Sequence, residues 1–348
     1  MCAKILLVGQ GLAGSVLALQ AEEAGFDVHI ADDDRPIRAS QWAGGLVNPV
    51  SFKRLTLSWK IDELLPVMHQ FLTAVETKFQ LKFYTPLTFH RVFASIEEQN
   101  QWDVISEGPK GKYYSSKRLE NRNSAAVHAP FGIGEVLHAG WLNVPHFLSV
   151  ARYYFKSKQK FHQQTIAEKD LRKKDNVWVW NEIEFDFVVV CSGVSLTEWP
   201  SLSTLNVIPN KGETVTLNLP EANWNEMIHF GNFLLPLDTN KYKLGATFDW
   251  SPTDEFPTET AKEELLKAFQ SHIRTPFQVL HHNAGLRPTT KDRRPILGCL
   301  EENGIQFFGG LGAKGVLLAP YFSKMLIAHL MHGTPLDHEV NAKRYLKS

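Results

Sequence analysis

Cysteine is scarce in this sequence: Cys2, Cys191 and Cys299 lie far apart among 348 residues. An odd, scattered set supports neither a disulfide framework nor a cysteine metal site, and suits small packing residues in a reducing compartment. Net charge is lacking too, with 37 Lys plus Arg against 37 Asp plus Glu. A chain built to coat nucleic acid or an anionic membrane carries an excess of one sign, so no nucleic-acid partner is expected. No apolar run approaches bilayer length, so no membrane span is expected. Strand-type sequence begins at Lys4, leaving no room for a leader, and the expectation is a cytoplasmic protein. Internal repeats and low-complexity segments are missing. His281 and His282 are adjacent without a helical i, i+4 partner, so no metal site is expected. The glycine-rich stretch ending at Gly315 continues with Val316 where a phosphate-binding loop of nucleotide hydrolases needs lysine.

What the chain does have begins at once. Lys4 to Val8 is a short apolar strand that runs into Gly9-Gln10-Gly11-Leu12-Ala13-Gly14, followed by an alanine- and leucine-rich helical stretch to Ala24. A second strand, Val28 to Ala31, ends on Asp32. Strand, G-x-G-x-x-G, helix, strand and acid, in that order, form a dinucleotide-binding βαβ unit. Gly9 permits the tight turn, Gly11 brings backbone close to a pyrophosphate at the helix N-terminus, and Gly14 lets helix and sheet pack closely. The acid stands where ribose hydroxyls are bound. Asp33 and Asp34 read as solvated turn residues.

Arg38 to Pro49 is glycine-rich but not polar, which suggests that Gly44 and Gly45 pass close to a cofactor. Apolar spacing from Leu57 to Phe79 predicts a helix, and strands at 83–86 and 88–94 then break the βαβ rhythm. A strand-to-helix transition returns at Gly140 to Phe155, and a hairpin around Asn181-Glu182 leads into the buried strand Phe187 to Val190. Gly193 turns the backbone at the carboxyl end of that strand, where ligands bind in open α/β sheets. Four short strands between residues 214 and 247 predict a largely antiparallel sheet, followed by a helix over 258–271. Ile305 to Phe308 empties into a second glycine-rich loop, Gly309 to Gly315, before an apolar helix. Two helix starts that favour anions suit an extended cofactor. The length exceeds one usual core. The division expected is a discontinuous cofactor part at 1–49, 131–206 and 280–348, and a substrate part at 50–130 and 207–279.

Taken together, Gly9 to Ser15 with Asp32, Ala43-Gly44-Gly45 with Asn48-Pro49, Asp186 to Gly193, Leu244 to Thr247, Gly285 to Pro288 with Asp292 and Pro295 to Gly298, and Gly310 to Pro320 carry a likeness. This ordered set resembles the glycine oxidase and D-amino-acid oxidase family of FAD-dependent oxidoreductases, its glycine oxidase-like branch above all. The resemblance implies an α/β fold: a Rossmann-like FAD-binding domain with a second, largely antiparallel α+β substrate domain. It implies that Gly9, Gly11 and Gly14, with Leu12 and Ala13 between them, face the pyrophosphate, that Asp32 binds the ribose, and that Gly44 and Gly45 lie along the flavin. Gly312, Ala313, Lys314 and Gly315 would meet the pyrimidine end of the ring, with Lys314 offsetting charge there, and Arg287 would grip the substrate carboxylate.

Glycine oxidases carry arginine where Ala313 stands, a departure that bears on which substrate is taken. Sarcosine oxidases carry their flavin-linking cysteine at a position that falls near Gly285 here, so non-covalent FAD is expected. The activity implied is oxidation of the Cα–N bond of glycine, an N-substituted glycine or a small D-amino acid, by hydride transfer to flavin N5 and imine hydrolysis. Oxygen or another acceptor would complete the cycle, in a monomer or a homo-oligomer. A 2-hydroxy-acid dehydrogenase and an oxidative tRNA-modifying enzyme are the alternatives.

Overall fold

A computed structural model describes residues 2–33, 39–109, 111–115, 126–196, 198–301 and 304–346. Asp34 and Arg38 therefore lie outside the described residues. The opening strand, Lys4–Val8, is the centre of a six-stranded sheet ordered Phe161–His162, Asp27–Ala31, Lys4–Val8, Phe187–Val190, Gln306–Gly309, Ile296–Gly298. All neighbours are parallel except the last pair. Ile5 and Leu7 bury on one face with helix residues Val16, Leu17 and Phe322, while Leu6 and Val8 bury on the other with Trp180, Trp199 and Phe307. Apolar cover on both faces is why these strands read as continuous hydrophobic runs.

The second sheet has seven strands, ordered Gln278–Thr289, Ile208–Asn218, Lys241–Gly245, Phe233–Asp238, Met227–His229, Phe89–Val92, Ile133–Val136. It is antiparallel apart from the contact between Met227–His229 and Phe89–Val92. Val215, Leu217 and Leu244 pack on Leu265 and Phe269 of the helix Glu259–His272, which covers the back of this sheet. Thr258 starts that helix as its cap, with its hydroxyl accepting from the Ala261 amide.

Two segments sit elsewhere than the linear division places them. Ile133–Val136 and residues 280–289 hydrogen-bond into the antiparallel sheet, because strand partners and not sequence neighbours satisfy their backbone groups. The helix expected from Leu57 begins at Ile61, since Thr56–Leu57 pairs instead with Val50–Ser51. It runs to Phe79 with Leu64, Leu65, Met68, Phe71, Leu72 and Val75 buried at helical spacing. Among the described residues, no helix is long and apolar enough to cross a membrane, and no cluster of His, Cys, Asp and Glu could hold a metal ion.

Candidate active site

A cavity of about 480 Å³ opens where the two sheets meet. Its inner end is the turn after Lys4–Val8. Gly9 has φ +101°, and a β-carbon there would lie 2.8 Å from the Cys191 carbonyl oxygen. Gly9, Gly11, Leu12 and Ala13 line the cavity, whereas Gly14 does not. A β-carbon on Gly14 would stand 2.0 Å from the Gly9 carbonyl oxygen, so this glycine serves packing between helix and strand and not direct contact with a ligand. The helix Leu12–Glu23 has no side-chain cap and no acid in its first turn. Ser40 accepts from the Leu12 amide at 3.2 Å. An acid-free helix start whose N-cap, Gly11, has no side chain of its own, beside bare backbone, is a fit for a bound pyrophosphate.

Asp32 is 5% exposed and lines the same end, accepting from the Gln10 amide at 3.0 Å and from Arg152 Nη2 at 2.9 Å. Arg152 also donates through Nε to Gln10 Oε1 at 2.7 Å. It comes from the helix Val144–Ser157, and nothing in the local sequence ties it to Asp32. Gly193, with φ +67° and open space around it, lines the wall past the carboxyl end of Phe187–Val190.

The middle of the cavity is bounded by Gly44 and Gly45. Their bareness is demanded partly by protein: a β-carbon on Gly44 would lie 3.0 Å from Phe233 Cζ, and one on Gly45, at φ +65°, 2.1 Å from the Leu142 carbonyl oxygen. Lys243 donates to the Ala43 carbonyl oxygen at 3.3 Å, and burial lowers its pKa to about 8. The second glycine loop closes this region. Gly312–Lys314 forms a single tight helical turn, Ala313 is exposed, and the helix Gly315–His332 follows. A β-carbon on Gly315 would touch Leu12 Cδ2 at 3.0 Å, so the two helix starts lie side by side. Lys314 donates to Ser58 Oγ, and its pKa is lowered to about 8 by burial and secondarily by the charge of Arg293.

Arg287, with Gly285 before it and Pro288 after it, is predicted by that sequence to sit in a constrained turn. It lies instead inside the edge strand Gln278–Thr289, opposite Asn210. Pro288 is tolerated there because an edge position loses no ladder bond through its missing N–H. The guanidinium crosses Gly212, where a β-carbon would stand 1.9 Å from Nη2. Nη1 donates to Asn210 Oδ1 at 2.9 Å and to the Thr247 carbonyl oxygen at 3.1 Å, while the Phe248 ring covers one face at 4.4 Å. Asp292, the acid five residues further along the chain, pairs with Arg344 at 3.4 Å. Among the described residues no carboxylate lies within ion-pair distance of Arg287, and burial lowers its pKa to about 10. That leaves it cationic at neutral pH. A buried cation held only by neutral acceptors presents its charge to whatever anion enters the cavity.

Several of these groups escaped sequence reading: Asn210, Gly212, Phe233, Lys243, Phe248 and His229, which also lines the cavity. Gly212 did carry a signal, since a glycine inside a strand marks close approach. Cys191 lines the inner wall as a free thiol, and burial pushes its pKa well up, away from reactive thiolate.

The chain is 26% identical to the glycine oxidase of Pseudomonas aeruginosa, with 96% of each covered. It is 24% identical to the tRNA 5-methylaminomethyl-2-thiouridine biosynthesis bifunctional protein of Marinobacter nauticus over 92% of this chain, and spans about half (54%) of that relative's length. Its fold matches glycine oxidase of Bacillus cereus at a TM-score of 0.80, with 18% identity and 97% and 96% of the two chains covered. Iminodiacetate oxidase of Chelativorans sp. BNC1 matches at 0.77, with 19% identity and 98% of each chain. Residues 4–329 match the family described as FAD dependent oxidoreductase, and with cradle, acid and paired helix starts in place the chain belongs to that FAD-dependent family.

Proposed function

We propose that the protein oxidises the Cα–N bond of glycine, an N-substituted glycine or a small D-amino acid. The observation that carries this reading is the Arg287 guanidinium, buried in the cavity wall without a carboxylate partner among the described residues. Asn210 and the Thr247 carbonyl fix Nη1, Phe248 fixes the plane, and the remaining donors of the fork are left to bind a substrate carboxylate. Held there, the substrate is oriented at its Cα and loses rotational freedom before reaction. FAD, the cofactor of this family, supplies the two-electron oxidation when bound. Gly9, Gly11, Leu12, Ala13 and Asp32 would hold its nucleotide part, Gly44, Gly45 and Gly193 its middle, and Gly312 to Gly315 its far end. Lys314, in the Gly312 to Gly315 loop, and Lys243, bonded to the Ala43 carbonyl beside Gly44, would place positive charge near the flavin.

Oxidation of a 2-hydroxy acid would need a base for the hydroxyl proton. His229 is the histidine of the cavity wall, and burial and the neighbouring Arg91 hold its pKa down at about 3, which makes it a poor base. Amine oxidation needs no such group when the amine arrives neutral. A second reading, oxidation of an amine on a modified tRNA base, is favoured by the likeness to the tRNA biosynthesis protein of Marinobacter nauticus.

The test is anaerobic mixing of the yellow protein with amines, hydroxy acids and bulk tRNA while flavin absorbance is followed. Glycine-type amines should bleach it; bleaching by hydroxy acids alone would overturn the reading, and bleaching by tRNA alone would favour the second one. Arg287→Met should lower kcat/KM on a carboxylate substrate by roughly two orders of magnitude with FAD content unchanged, since removing one partner of a buried charge pair costs about 2–5 kcal/mol. Arg287→Lys should recover only part, because an ammonium lacks the planar fork.

A further inference from the structure

His229 stands apart from the machinery above. It lies on Met227–His229, the fifth strand of the antiparallel sheet, whereas Arg287 lies on the first. Four strand spacings of about 4.8 Å put the two backbones roughly 19 Å apart across the sheet. Both residues nonetheless line the same cavity. A free amino acid whose carboxylate sits on Arg287 reaches only one end of it, so His229 marks a region that a larger substrate would occupy.

The imidazole is locked in place. Its Nδ1 is 2.8 Å from Arg91 Nη1, and the Gly231 amide approaches the same nitrogen at 3.4 Å. Arg91 is 9% exposed and is itself gripped by Glu98, with Nε to Oε1 at 2.8 Å and Nη2 to Oε2 at 3.1 Å. The Phe52 ring packs against the imidazole at 4.3 Å between centroids. Arg91 has no acceptor to offer, so Nδ1 must be the bare, accepting nitrogen and the proton resides on Nε2. Among the described residues that N–H meets no acceptor, and His229 lines the cavity. Removing it from its acceptor, or offering it an apolar group, forfeits a hydrogen bond in a site partly closed to water.

We propose that His229 determines specificity at the far end of the cavity, where Nε2–H donates to a hydrogen-bond acceptor on the nitrogen substituent of an N-substituted glycine. This deepens the amine-oxidation reading and rests on it. Arg91 and Glu98 are positioning residues: they fix the tautomer without touching substrate.

The test uses the FAD-loaded protein and two series of N-substituted glycines of matched length, one ending in a carboxamide and one in an alkyl group. At the length that spans the cavity, the parent protein should prefer the amide by about tenfold in kcat/KM. His229→Phe should bring that ratio close to one, and His229→Gln, whose amide can still donate, should restore part of it. A ratio unchanged in His229→Phe, or a variant that alters the flavin spectrum without altering the ratio, overturns the assignment. Binding of the matching ether acids, in which oxygen replaces the amine nitrogen, is read from the flavin absorbance shift. An amide preference among these acids that vanishes in His229→Phe supports the His229 site even when no amine bleaches the flavin, in which case the amine-oxidation reading alone fails.

Discussion

Lys314 shows how one residue's surroundings set its use. Burial strips water from its ammonium and Arg293 repels it, so the pKa falls to about 8 and the charge is present below that pH and lost above it. The rate of flavin reduction at saturating substrate should therefore fall as pH rises through about 8, and Lys314→Met should be slower below that pH and lack the falling limb. Lys243 sits near the same value through burial alone, so Lys243→Met is the control. A limb that survives in Lys314→Met and disappears in Lys243→Met would transfer the role. Sequence nominated Lys314 because it follows a glycine loop at a helix start, a local pattern. It could not nominate Lys243, whose significance comes from a carbonyl 200 positions away in the chain.

At the level of the element, the strand Ile208–Asn218 does two jobs by alternation. Gly212 and Thr214 face the cavity, while Lys211 and Glu213 point to the other side. There Lys211 donates to Asp254 Oδ1 at 3.3 Å and to the Phe256 carbonyl oxygen at 3.1 Å, and Glu213 accepts from the Thr258 amide at 2.8 Å. One strand thus seats Arg287 on its front and anchors the segment carrying Phe248 on its back. Gly212→Ala is the sharpest test of the front. Its new methyl would overlap the guanidinium, a flexible group that can move, so the protein should fold and keep FAD while kcat/KM falls nearly as far as in Arg287→Met. Activity within threefold of the parent would mean that Arg287 works from another position. The antiparallel strands were legible as short strand-type runs separated by turns, but the placing of Arg287 in a turn failed because Gly285 and Pro288 imitate turn chemistry. Only the edge position in the sheet explains how a strand accepts them.

For the molecule as a whole, the cofactor is expected to be held without a covalent bond, by groups drawn from both ends and the middle of the chain. Acid precipitation should give a colourless pellet and free FAD in the supernatant; colour retained in the pellet would refute this. The cavity-lining Cys191 is too deeply buried to form thiolate readily, in keeping with that outcome. The back of the antiparallel sheet should matter to stability: Glu213, 2% exposed, accepts from the Thr258 amide and hydroxyl and lies 2.9 Å from His282 Nε2, so Glu213→Ala leaves these partners unmet while Lys211 keeps Asp254, and should cost about 1–3 kcal/mol, measured as a lower melting temperature. By itself the sequence determined the cofactor half, since strand, glycines, helix and acid are fixed by contacts within about thirty residues of one another. It also nominated Arg287 and Lys314, whose roles the substitutions above test. What only the tertiary structure decided is what those residues meet: Asp32 with Arg152, Arg287 across Gly212, Phe233 between Gly44 and Gly245, and His229 oriented by Arg91. These pairings join segments that are distant in the chain, and local periodicity carries no information about strand order, which alone brings them together.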